Sequence, residues 1–184
     1  MGGAPKGLLE VGGRRILDRL VDTFQEALGN LPLLVANAPD AASWRPDLRV
    51  VPDVRPGMGS SGGLYTAVIT APAPVVCVAW DMPFVPAALI RMLGAGLGEA
   101  DVCIPASAGR RGLEPLCAGY GPACGPAMAA ALDRGDLQAI AFHPAVRVRV
   151  LSEAEQRRVL GDPARLWFNI NTAEDLQRAN EIIS

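Results

Sequence analysis

The stretch Pro74-Val-Val-Cys-Val-Ala-Trp80-Asp81-Met82-Pro83 decides the fold class. Seven apolar residues run unbroken from Pro74 to Trp80, the length and composition of a strand buried on both faces. A carboxylate, Asp81, follows at once. Pro83 biases Met82 toward extended backbone, so the turn after the strand is stiff. In open α/β sheets ligands bind just beyond the carboxyl ends of the strands. Asp81 is therefore the first candidate for chemistry. A carboxylate held there suits Mg²⁺, which takes a few protein oxygens and completes its shell with phosphate and water. The other reading of Asp81 is an Asx-turn, or a cap for the helix expected over 86–97.

The alternation of strand and helix extends in both directions. Upstream, Ile16, Leu17, Leu20, Val21, Phe24 and Leu28 recur at helical spacing over 14–28, and Gly29-Asn30 ends the run. Residues 31–36 and 49–52 read as short strands, the second ending at Asp53. A loop over 55–63 opens a helix over 64–70. Downstream, strands are expected over 101–105, 115–120 and 146–151, with helices over 86–97 and 126–132. Residues 167–171 read as extended, and Thr172 opens a last helix through Thr-Ala-Glu-Asp, close to a capping box. The pattern predicts a single α/β domain over 1–184 with a mostly parallel sheet. No internal repeat, linker or low-complexity tract interrupts it.

Composition narrows the function. A chain of 184 residues, half of them apolar, can bury a substantial core, and 20 glycines with 16 prolines imply many tight turns. Seventeen Lys and Arg against 19 Asp and Glu give a net charge of −2, which excludes a general nucleic-acid binder. Cys77, Cys103, Cys117 and Cys124 lack CxxC spacing and read as buried free thiols. The lone histidine, His143, rules out multi-histidine metal sites and makes a histidine-based triad a poor prospect. No apolar run is long enough to span a membrane and no signal-peptide pattern is present, so the expectation is a cytoplasmic protein without a membrane partner.

Other polar residues fall at the strand ends. Asp53 can accept hydrogen bonds from a base or a ribose, or simply form a turn. Asn37 precedes Pro39 and Asp40, a turn-forming context. Asn169 and Asn171 alternate with apolar neighbours and should face one way, into a pocket or toward a metal; Asn171 could instead only stabilise the start of the last helix. The loop around Gly57–Gly63 can admit a ligand close to backbone, or serve close helix packing. Arg110 and Arg111 could meet phosphate or form a solvated turn, and Glu114 could orient a ligand. At the start, Met-Gly-Gly-Ala-Pro-Lys6-Gly combines small residues with one ammonium group, which is suited to phosphate but also to a mobile chain end.

Together these segments resemble the molybdenum cofactor guanylyltransferases, nucleotidyltransferases with a three-layer Rossmann-like fold. Met-Gly-Gly-Ala-Pro-Lys-Gly-Leu-Leu-Glu resembles the end of that family's LAGGxSxRMGxxKxLL signature and puts Lys6 on its triphosphate-binding lysine. Val-Ala-Asn at 35–37 and Val-Pro-Asp at 51–53 put Asn37 and Asp53 on its nucleotide contacts. Gly63-Leu64 agrees with the end of its Gly-Pro-Leu-x-Gly-Leu, although Ser60 and Ser61 replace Pro-Leu. Asp81-Met-Pro resembles the Asp-x-Pro whose aspartate holds Mg²⁺. Glu114-Pro-Leu-Cys-Ala-Gly-Tyr and Asn169-Ile-Asn171-Thr resemble two later motifs.

The resemblance implies GMP transfer from GTP to the terminal phosphate of molybdopterin, with release of pyrophosphate and Mg²⁺ as cofactor. Lys6 and Asp81 would be catalytic, and Lys6, Asn37, Asp53, Gly63, Asp81, Asn169 and Asn171 would bind substrate. A protein that delivers the molybdenum cofactor is a candidate partner, and the oligomeric state is left open. The family's leading strand, central in its sheet, and the LAGGxSxR half of its loop are expected ahead of Met1. Their absence would expose two neighbouring strands. Three alternatives remain at this level: CMP transfer from CTP to the same cofactor by a related enzyme, another sugar-phosphate or cofactor nucleotidyltransferase, or a truncated nucleotide-binding protein without catalysis.

Overall fold

The computed structural model describes residues 5–107, 112–161 and 165–183. The early Gly12-Gly13 turn joins β1 (Glu10–Val11) to β2 (Arg14–Arg15) in a hairpin. Both glycines have positive φ, 59° and 70°, as such a tight turn requires. The amphipathic α1 (Ile16–Leu28) follows and ends at Gly29 in the left-handed conformation, φ 72°. Next come β3 (Leu34–Val35), the short α2 (Ala41–Trp44), β4 (Val50–Val51) and α3 (Gly59–Thr70). Then β5 (Val75–Val78), α4 (Ala87–Gly96), β6 (Val102–Pro105), β7 (Cys117–Tyr120) and α5 (Cys124–Asp133) run in turn. The chain closes with β8 (Val148–Leu151), α6 (Glu153–Leu160) and α7 (Ala173–Ile183).

This is an α/β fold with a mixed sheet. One part has the order β5-β7-β6-β8, with β7 antiparallel to both its neighbours and β6 parallel to β8. The other part is the parallel pair β3-β4. The reversed β7 departs from an all-parallel plan; β5, β6 and β8 share one direction. Among the described residues the two parts have no strand between them, and β3 and β5 face each other as unpaired edges.

The expectation that Pro74–Trp80 is buried on both faces fails. Every residue of β5 is half-buried, whereas every residue of β6 and β7 is buried. The physical reason is that, among the described residues, β5 is paired on one edge only, by β7, and a strand's faces are shielded partly by the side chains of the strands beside it. Around the buried strands, one apolar cluster joins α1, α4, β6 and Met82, and a second joins α3, α5, β7 and Phe142. Leu17, Val21, Leu34 and Trp44 form a third beneath β3 and β4. The described cysteines are all free thiols, and burial pushes those of Cys103 and Cys124 up to about 11.

Several boundaries moved. Helix α3 begins at Gly59, so the glycines expected in a loop lie in its first turns. Residues 167–171 form no strand. Helix α6 escaped sequence reading, although Ser152 and Glu155 form a reciprocal capping box at its start. At the last helix the expected box is present: Asp175 N–H donates to Thr172 Oγ1 at 3.1 Å, and Thr172 N–H donates to Asp175 Oδ2 at 2.9 Å. No helix among the described residues is long and apolar enough to cross a membrane.

Candidate active site

Two polar groups stand at the carboxyl ends of the strands, on either side of the gap. The first is built on β5. Trp80 ends the apolar run, and the following turn is closed by Met82 N–H donating to Ala79 C=O at 3.2 Å. Asp81 thus projects from the sheet edge, its side chain 21 % exposed. It caps no helix: the cap position of α4 is Pro86. Its partner is Lys6, 75 residues away, whose ammonium donates to Asp81 Oδ2 at 3.1 Å and to Asn171 Oδ1 at 2.6 Å.

Each member of this trio is held by its own local structure. Lys6 opens a single 3₁₀ turn, Lys6–Leu8, that lies on the Trp80 ring. Gly7 makes that approach feasible, since a Cβ there would sit 3.1 Å from Trp80 Cε3. Trp80 in turn packs against Trp44, with ring centroids 5.6 Å apart. Asn171 is fixed from the other side, because its backbone N–H donates to Asp175 Oδ2 at 3.0 Å. The N–H groups of Asn171 and Thr172 hold the Asp175 carboxyl below its ordinary range. One residue earlier, Ile170 N–H donates to Asp81 C=O at 2.9 Å, tying the segment before α7 to the turn after β5.

The second group spans the ends of β3 and β4. Asn37 Nδ2 donates to Asp53 Oδ2 at 2.8 Å, and Asp53 N–H donates to Asn37 Oδ1 at 2.8 Å. This reciprocal pair fixes Asp53 and leaves its Oδ1 toward α3. A Cβ at Gly63 would lie 3.6 Å from that oxygen, an ordinary contact. Gly62 is the tighter position, where a Cβ would meet Arg55 C=O at 3.0 Å. Helix packing thus constrains Gly62, while Gly63 keeps the approach to Asp53 open.

Asn37, Asp53, Gly63 and Asp81 all line one cleft of about 790 Å³. Pro5, Gly59, Ser60 and Trp80 border the same end. The structure therefore brings six of the seven predicted residues to one cleft or its rim, Lys6 and Asn171 entering through their contact with Asp81. Asn169 is half-buried and is not a partner of the Lys6 ammonium. Arg110 and Arg111 lie outside the described residues. Glu114 accepts a hydrogen bond from Ser107 Oγ at 2.6 Å. Sequence reading missed Asp175 as a support for Asn171; its signal was present in the Thr172-x-x-Asp175 box.

The donor set of the first group fits a divalent cation of the Mg²⁺ type. Asp81 and Asn171 offer hard oxygens that already converge on a positive charge, the Lys6 ammonium. Among the described residues no cluster of three or more acidic, histidine or cysteine side chains exists that would complete a metal shell from protein alone. That leaves coordination positions for phosphate oxygens and water. The carboxylate of Asp81, the ammonium of Lys6 and the fixed Asn37–Asp53 pair thus stand along one cleft and its rim.

Comparison with known proteins agrees with this chemistry. Residues 1–150 match the family described as MobA-like NTP transferase domain. A probable molybdenum cofactor guanylyltransferase from Pelotomaculum thermopropionicum is 34% identical over 180 residues, 96% of this chain and 84% of that protein. The molybdenum cofactor guanylyltransferase of Desulfosudis oleivorans is 32% identical over 185 residues, 99% of this chain and 89% of that protein. Among solved structures, the molybdopterin-guanine dinucleotide biosynthesis protein A of Archaeoglobus fulgidus shares the fold with a TM-score of 0.81 at 24% identity, covering 98% of this chain and 91% of that one.

Proposed function

The chain belongs to the MobA-like NTP transferase family, and we propose that it transfers GMP from GTP to the terminal phosphate of molybdopterin, releasing pyrophosphate. The observation that carries the site assignment is the contact of Lys6 with Asp81 and Asn171. The reaction joins two anions. A phosphate oxygen of the pterin forms a bond to the α-phosphorus, the bond from that phosphorus to the bridging oxygen breaks, and the electron pair leaves with pyrophosphate. The work of the protein is therefore positioning and charge compensation rather than proton abstraction, since the nucleophile is already anionic.

Lys6 places a compact positive charge against the triphosphate, where negative charge grows on the leaving group. Asp81 would hold Mg²⁺, with Asn171 alongside. When bound, the ion neutralises phosphate oxygens and orients them for in-line displacement. Asn171 keeps the lysine aimed, and Asp175 keeps Asn171 in place. The Asn37–Asp53 pair offers acceptors to the nucleoside, at the opposite wall of the cleft from Asp81. Gly63 admits the ligand to that wall without a side chain in the way.

The direct test is conversion of molybdopterin to its dinucleotide with GTP or CTP as donor, in the presence of Mg²⁺. GTP-dependent transfer at least about tenfold above CTP is expected, the scale of discrimination that one or two base hydrogen bonds give. Preference for CTP would replace the base assignment. Nucleotide binding without transfer by either donor would reduce the protein to a binding module.

A further inference from the structure

Residues 52–58 join β4 to α3 and include Asp53. On its β3 side Asp53 is tied by the reciprocal bonds with Asn37. Its other flank is tied by Thr66, a residue of α3 that no sequence motif marks. Thr66 is fully buried. Its Oγ1 accepts a hydrogen bond from Val54 N–H at 2.9 Å and donates one to Gly62 C=O at 2.8 Å. A threonine that bonds back to the carbonyl four residues earlier is ordinary in a helix and gains it nothing. The second bond, outward to the loop, is what sets Thr66 apart.

The two backbone groups that the hydroxyl bridges adjoin the cleft residues. Val54 follows Asp53, and Gly62 precedes Gly63. Across this bridge Asp53 Oδ1 lies 3.6 Å from the position of a Cβ on Gly63, and Oδ2 lies 3.9 Å from that of a Cβ on Gly62. The carboxylate is thus held directly against the first turns of α3. The next residue is fastened as well: Arg55 donates to Asp133 Oδ1 at 2.6 Å and to Ala129 C=O at 3.3 Å, with its guanidinium 5.1 Å from the centre of the Tyr65 ring. The opposite wall is built from other elements, since Lys6, Asp81 and Asn171 come from the first 3₁₀ turn, the end of β5 and the approach to α7.

We propose, on the basis of the nucleotidyl-transfer reading, that Thr66 is a positioning residue for the nucleotide: its hydroxyl fixes the Asp53 carboxylate relative to Gly63 and so shapes the wall that receives the nucleoside. Thr66 touches no substrate and acts through Asp53. Without the hydroxyl, Val54 N–H loses its partner and the Asp53 flank is held by Asn37 alone. The groups that compensate charge at the reacting phosphates stand on the other wall and keep their contacts. Loss of the hydroxyl therefore weakens nucleotide binding without slowing transfer from the bound complex, the pattern of a lost ground-state contact.

The experiment measures the Kd for GTP by calorimetry, together with kcat and KM for transfer, on the full chain and its variants. Thr66→Val replaces the hydroxyl by a methyl group; Thr66→Ser keeps the hydroxyl and drops the methyl. Thr66→Val should raise Kd and KM by about tenfold and leave kcat within about twofold. Thr66→Ser should keep Kd within about twofold of the unsubstituted chain even where its melting temperature falls. A purely structural role would make affinity follow the melting temperature instead. Thr66→Ala set against Thr66→Ser isolates the hydroxyl a second time, should Thr66→Val fail to fold. Asp53→Ala separates the role of Thr66 from the reading it rests on. Weakened GTP binding in Asp53→Ala, to which Thr66→Val adds nothing in the doubly substituted chain, is the expected coupling. Unchanged binding in Asp53→Ala overturns the nucleoside wall and the role of Thr66 with it. Weakened binding in Asp53→Ala beside an unchanged Kd in Thr66→Val, or full additivity of the two, overturns the role of Thr66 alone.

Discussion

Strands β5 and β6 are close to interchangeable as sequences, Val75-Val-Cys-Val78 against Val102-Cys-Ile-Pro105, yet they occupy opposite environments. All of β6 is buried between β7 and β8; all of β5 is half-buried beside the cleft. The difference lies in the neighbours and not in the residues. It teaches that the molecule divides its labour. The enclosed part, β6 and β7 with their helices, supplies stability. The part bordering the cleft supplies the polar groups at the ends of β3, β4 and β5. Substitutions on the two sides should therefore separate stability from activity.

The sharpest separation pairs one residue from each side. Ile104 is fully buried, and Ile104→Ala should cost about 3 kcal/mol or more in urea unfolding. Val76→Ala on β5 should cost less, about 1 kcal/mol, since its side chain is only partly buried. Equal losses would break the comparison. Lys6→Met is the converse case. Its side chain is 35% exposed, so stability should hardly change, while kcat/KM for nucleotidyl transfer falls by roughly 10²-fold. Activity close to that of the unsubstituted chain would remove Lys6 from the site.

Smaller effects refine the enclosed side. The Tyr120 hydroxyl donates to Pro115 C=O at 2.5 Å with the ring fully buried, so Tyr120→Phe should destabilise by about 1 kcal/mol without altering transfer. The smallest effect is a pH dependence. Burial alone would raise the Asp18 pKa, but hydrogen bonds from Arg15 and Arg45 outweigh it and the folded value is lowered. Its stabilisation is therefore complete above the unfolded value, about 3.9, and is lost as pH falls through the lower folded value. The stability gap between the unsubstituted chain and Asp18→Asn should close in acid titrations below about pH 4.

Much of this was legible in sequence because it depends on local chemistry. Helical spacing placed α1, and Thr172-x-x-Asp175 placed the start of α7. Asp81 was marked by a strand, a carboxylate and a proline in succession. The burial of β5 was not legible, since it depends on which strand lies alongside. Helix α3 was read five residues short because Gly59, Gly62 and Gly63 argue against a helix locally, while packing on β3 and β5 imposes one. The Lys6–Asn171 contact spans 165 residues, and no periodicity reports a separation of that kind; only the motif resemblance brought the two together.

The central claim is that Asp81 and Lys6 share one polyphosphate, with a divalent cation on the carboxylate. Calorimetric titration of GTP into the protein, with and without Mg²⁺, tests it most directly when repeated on Asp81→Asn. The account predicts that Mg²⁺ tightens GTP binding to the unsubstituted chain by about tenfold or more and has no effect on Asp81→Asn. An undiminished Mg²⁺ effect in Asp81→Asn would contradict it.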